Sequence, residues 1–144
     1  MNSVTLSRTI DAPPETVRDA MDDLGPFVRS SGFDDVSVDG ETVRVANDVG
    51  LAAIELTLEV VDDPDADLAY EQREGIFEAM RTAYVVTPTG AGSEVTATTE
   101  FALDVALVGD LLDATVIERQ RRTELSAQFD WLEDRCAGPS TDDG

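Results

Sequence analysis

Residues 7–25 read SRTIDAPPETVRDAMDDLG, and the habit of the chain changes halfway through them. Just upstream and into this stretch, Val4, Leu6 and Ile10 share one phase while Thr5, Ser7 and Thr9 share the other. That alternation reads as a half-buried strand. Pro13 and Pro14 stop it, and Pro14 suits a first helical turn, where its missing N–H costs nothing. Val17, Ala20, Met21 and Leu24 then recur at helical spacing and make one apolar face. Gly25-Pro26 is expected to end that helix, and Phe27-Val28 to begin a short second one.

From Asp35 to Leu103 the pattern is strands and tight turns. VSVDGETVRV is a hairpin around Asp39-Gly40, a strong turn signal between alternating valines. AAIELTLEVV sets Ala52, Ile54, Leu56, Leu58 and Val60 against Glu55, Thr57 and Glu59. DDPDAD is a turn, and LAYEQRE groups Leu68, Tyr70 and Gln72 opposite Glu71 and Arg73. RTAYVV and EVTATTEFAL flank TPTGAGS as a further hairpin, with Val95, Ala97, Thr99, Phe101 and Leu103 in one phase. After Asp104 the spacing becomes helical: Leu107, Leu111, Ala114, Ile117 or Glu118, Arg121, Leu125, Phe129 or Gln128, and Leu132 trace a long helix to about Cys136. The tail AGPSTDDG, residues 137–144, reads as disordered.

The expected architecture is therefore α+β, one domain over residues 1–136. About seven antiparallel strands curve around the long C-terminal helix, with one or two short helices after the first strand. A helix of about 28 residues runs roughly 42 Å, enough to lie across such a sheet. Propped off at one end by the short helices, it leaves a candidate cavity between helix and sheet.

Composition narrows the function. Of 144 residues, 31 are acidic and 10 basic, there is no histidine, and the formal charge is -21. Every basic residue is an arginine. Clear apolar periodicity argues against disorder, so the charge fits a folded protein of concentrated salt, where screening lengths fall to about 3 Å. A halophilic origin is the expectation. No basic footprint favours nucleic acid. No leader follows Met1 and no apolar run spans a membrane, and the single Cys136 fits a reducing compartment; a cytoplasmic location is expected.

VTLSRTIDAPPETVRDAM resembles the opening of the helix-grip proteins, the superfamily of START domains, Bet v 1-like proteins and polyketide cyclases, also called SRPBCC-type. AYVVTPTGAGSEVTATTEF resembles their penultimate hairpin, and a helix led by Gly109 and rich in Leu and Arg closes the likeness. Arg18 stands where many relatives carry a tryptophan. The resemblance implies a helix-grip fold that binds lipids, sterols, quinones or polyketides in its cavity. It also implies two alternatives: a cyclase or dehydratase, or an accessory subunit resembling that of carbon monoxide dehydrogenase-type enzymes, docked on a larger enzyme.

Without histidine the usual proton shuttle and imidazole metal ligand are missing. Asp63, Asp65, Asp67 and Glu74 match acidic positions of a calcium loop, but Leu68 occupies the place that needs glycine. The turn reads as solvated, and neither metal nor cofactor is expected. Gly90 to Gly92 precede a strand, so they form a hairpin turn and no phosphate loop. Cys136 is expected to be without a role. Polar groups expected on the concave face are Arg8, Tyr70, Gln72, Glu74, Tyr84 and Thr99. Arg119, Arg121 and Arg122 form the basic cluster, which reads first as a helix face pairing with Glu118 and Glu124; one of them facing inward would instead meet a ligand carboxylate or carbonyl. The expected lining is Tyr70, Gln72, Met80, Tyr84, Ala97, Thr99, Phe101, Leu111, Ile117 and Arg121. Catalysis would need a buried glutamate, Glu74 or Glu118. The leading reading is a carrier of a small hydrophobic molecule.

Overall fold

A computed structural model describes residues 2–49, 52–75, 77–90, 92–103 and 114–142, without the side chains of 47–49, 52–54, 103, 114 and 137–142. The chain opens with β1 (Asn2–Ile10), α1 (Pro14–Asp22) and α2 (Leu24–Arg29). Six strands follow: β2 (Asp35–Asp39), β3 (Thr42–Val49), β4 (Ala52–Val60), β5 (Leu68–Glu74), β6 (Phe77–Pro88) and β7 (Ser93–Leu103). The last element is α3 (Ala114–Asp142). All seven strands join one antiparallel sheet in the order β1-β7-β6-β5-β4-β3-β2, and α3 packs against β1, β7, α1 and α2. This is the helix-grip fold.

The proline pair behaves as its chemistry dictates. Pro13 is extended and caps α1, its carbonyl accepting from Thr16 and Val17 N–H, and Pro14 occupies the first turn. Val17, Ala20 and Met21 face the core. The break between the two short helices falls earlier than the sequence implies. It lies at Asp23, and Gly25-Pro26 sit inside the first turn of α2, where proline needs no partner for a missing N–H. At its other end α3 continues past Cys136 to Asp142.

Two turns hold the ends of the sheet together. Ser93 Oγ donates to the Ala12 carbonyl at 2.6 Å, and Gly92 lies so close to β1 that a Cβ there would sit 2.4 Å from the Ile10 carbonyl oxygen. The glycine turn and the proline pair are thus two sides of one contact. At the β5–β6 turn, Gln72 accepts from Phe77 N–H at 3.1 Å and donates to the Phe77 carbonyl at 2.8 Å.

Register decides which side chains meet inside. Thr99 of β7 lies opposite Thr82 of β6, and Thr82 opposite Tyr70 of β5. One row along, Ala97 faces Leu6 on one side and Tyr84 on the other. All of these except half-buried Leu6 are buried. Val85 is exposed while Tyr84 is fully enclosed, which settles the phase of β6.

Candidate functional site

Arg121, Glu124 and Gln128 rise from α3 among Ile117, Leu125, Phe129 and Leu132, all of them buried. The spacing is that of a core-facing helical stripe, and three polar residues interrupt it. Opposite them the sheet presents Thr82, Thr99, Tyr70 and Tyr84. Polar groups at such depth must find partners, and nearly all do.

Two networks result. In the first, Tyr84 Oη donates to Gln128 Oε1 at 2.5 Å and lies 2.9 Å from Tyr70 Oη. Since the Tyr84 proton goes to Gln128, Tyr70 is the donor to Tyr84. Gln128 Nε2 in turn donates to the Phe27 carbonyl at 3.4 Å. The chain therefore runs from β5 through β6 and α3 to α2, and both phenolic protons are used. Burial pushes the Tyr70 hydroxyl above its ordinary pKa, and pushes Tyr84 further, with Tyr70 beside it adding to the effect.

In the second network, the Arg121 guanidinium donates to Thr82 Oγ1 at 3.0 Å and Thr99 Oγ1 at 3.2 Å, and pairs with Glu124 Oε1. Thr82 donates to Thr99 at 2.9 Å, and Gln120 Nε2 donates to the second Glu124 oxygen at 3.1 Å. Burial opposes the Arg121 charge, yet the adjacent Glu124 carboxylate keeps its pKa above the usual value. One donor is left over. Arg121 Nε is buried and has no hydrogen-bond partner among the described residues.

Tyr70, Met80, Tyr84, Ala97, Thr99, Phe101, Ile117 and Arg121 are buried together on this face. Leu111 lies outside the described residues. Gln72 is half-buried and spends its amide on the β5–β6 turn instead of the interior. Of the three clustered arginines, Arg121 points inward while Arg119 and Arg122 are exposed. Arg8 sits at the rim, 2.8 Å from Asp130 and 2.9 Å from Glu133. The carboxylates expected to be buried need correcting: Glu74 is exposed, because β5 leaves the core at its end, and Glu118 is only half-buried. Among the described residues the buried carboxylate is Glu124. It was readable only as a partner for nearby arginines, Gln128 only as an alternative to Phe129 on the helical stripe, and Thr82 was missed. Their signal was present, since each shares a phase with apolar neighbours: Thr82 with Met80 and Val86, Gln128 with Arg121, Leu125 and Leu132.

These features define a helix-grip domain, a fold that binds hydrophobic ligands. The chain belongs to the family described as polyketide cyclase / dehydrase and lipid transport, which its residues 1–137 match. Among solved structures it is similar to the Zhui aromatase/cyclase of a Streptomyces species, with 22% identity, 95% of this chain and 98% of that one covered, and a TM-score of 0.76. A protein of Thermus thermophilus is alike at 22% identity, 96% and 99% coverage and a TM-score of 0.75. A START superfamily protein from Mycobacterium smegmatis shares 11% identity over 94% and 97% of the two chains, with a TM-score of 0.72. Among curated proteins none matches the chain in sequence. No helix among the described residues is long and apolar enough to cross a membrane.

Proposed function

We propose that the protein binds a small hydrophobic molecule between the sheet and α3. One observation carries this reading: the Nε–H of Arg121 is buried and has no hydrogen-bond partner among the described residues, at a core that includes Met80, Phe101 and Ile117. A buried donor without an acceptor costs about 1–3 kcal/mol, and a guest oxygen placed there recovers that cost. Apolar surface with a few placed polar groups is the usual make-up of a small-molecule site.

Binding fits the groups better than turnover does. Both Glu124 oxygens are engaged, by Arg121 and Gln120, and both phenolic protons are spent within the tyrosine chain. No free acid or base faces the interior among the described residues. The test is saturable binding of the neutral dye Nile red in molar KCl, with and without Ala97→Phe. Ala97 is fully buried between Leu6 and Tyr84, so a phenyl ring occupies the guest's space. Dye binding should disappear while cooperative unfolding persists at a cost of about 1–3 kcal/mol. No saturable binding by the parent protein would overturn the proposal in favour of a docking subunit.

A further inference from the structure

The charge balance of the interior selects the polar end of the guest. Among the described residues Arg121 and Glu124 are the charged side chains that are buried, and they face each other. The pair is neutral as a unit. Gln120 occupies the other Glu124 oxygen, and Thr82 and Thr99 accept from Nη2 of the guanidinium. The nitrogen left wholly unpartnered for a guest is Nε, on an arginine whose charge is already balanced.

A carboxylate or phosphate delivered to that N–H would bring a second negative charge close to Glu124. No further buried cation lies among the described residues to offset it. An uncompensated buried charge is among the costliest things a protein interior can hold. Neither phenol can help, since Tyr70 and Tyr84 have no proton to spare. A neutral oxygen acceptor satisfies Nε and adds no charge.

We infer that the guest is a neutral, carbonyl-bearing hydrophobic molecule, such as a ketone, quinone or ester, and that Glu124 sets this preference by excluding anions. The inference rests on the binding reading above and sharpens it. Glu124 acts here as a specificity residue through the arginine it neutralises.

A matched pair of competitors tests it. 2-Undecanone and decanoate carry the same nonyl chain and differ in whether the oxygen-bearing end is neutral or anionic. Each is titrated against bound Nile red at pH 8 in molar KCl, with decanoate kept below its micellar range. The ketone should displace the dye, and decanoate should do so at least about tenfold more weakly. Glu124→Gln keeps the side chain's size and leaves Arg121 with a net positive charge. Decanoate should then gain at least about tenfold while the ketone changes by no more than about twofold. Equal displacement by the two competitors in the parent protein overturns the inference and leaves the binding reading standing. Failure of decanoate to gain in a cooperatively folded Glu124→Gln also overturns it. If that variant does not fold, the parent comparison decides alone. If Nile red does not bind at all, the binding reading falls and takes this one with it.

Discussion

Tyr70 and Tyr84 are the two tyrosines of the chain, and both are buried with their hydroxyls in one directed chain of hydrogen bonds. Desolvation raises both above the ordinary phenol value of 10.0, with Tyr84 raised the further. The sign follows from linkage. Between that value and the folded one, the unfolded chain has lost the phenolic protons and the native protein has kept them. The stability they contribute is therefore complete below about pH 10 and declines as pH rises toward the folded values. An alkaline titration in molar KCl should show no phenolate absorbance until far-UV circular dichroism reports unfolding, and the two transitions should coincide. Phenolate appearing near pH 10 in a fully folded protein would mean that a hydroxyl reaches water and that the chain to Gln128 is not closed.

Between elements, Asp67 makes contacts to both α1 and β6. Its carboxylate accepts from Val86 N–H at 2.6 Å and from Arg18 Nε at 2.7 Å, and its own N–H donates to the Tyr84 carbonyl at 2.8 Å. Arg18 also donates to the Val86 carbonyl at 3.2 Å. This arginine thus ties α1 to the loop before β5 and to β6. The two partners are not equal. Asp67→Ala strands a backbone N–H of the central sheet and should cost about 1–3 kcal/mol. Arg18 is 41% exposed at the side chain, so Arg18→Ala should cost less than about 1 kcal/mol. Denaturant unfolding of both variants in the same salt checks the order. An equal or larger loss for Arg18→Ala would show that the arginine, and not the backbone cap, holds this corner.

For the whole molecule the governing quantity is charge. Arg8, Arg18, Arg73, Arg81, Arg121 and Arg135 are paired with carboxylates, yet with 31 acids against 10 arginines most carboxylates have no cationic partner to turn to. Compaction brings them together, and self-repulsion in the folded state is the result. At molar salt the screening length shrinks to about 3 Å and that repulsion is largely removed. The thermal midpoint should therefore climb steeply from dilute buffer to molar KCl. A midpoint that stays constant over this range would remove the case for a high-salt habitat.

Local chemistry was enough to determine much of this protein. Alternation in β1 and β7, the Asp39-Gly40 turn and the proline pair before α1 are short-range signals, each set by backbone sterics or side-chain phase. So the element order and the inward phase of Tyr70, Ala97, Thr99 and Phe101 were legible before any contact was known. The boundary between α1 and α2 was not, because a glycine and a proline serve equally well at a helix end and in a first turn. What only tertiary structure decided is which polar groups meet. Arg121 and Thr99 are 22 positions apart, and Tyr84 and Gln128 are 44 apart. Strand register and the seating of α3 bring them together. A helical stripe names a buried face but not its partner across the core. That is why Glu124 read as a surface ion-pair partner in the sequence, and why its place beside a buried arginine with one donor left over emerged only from the fold.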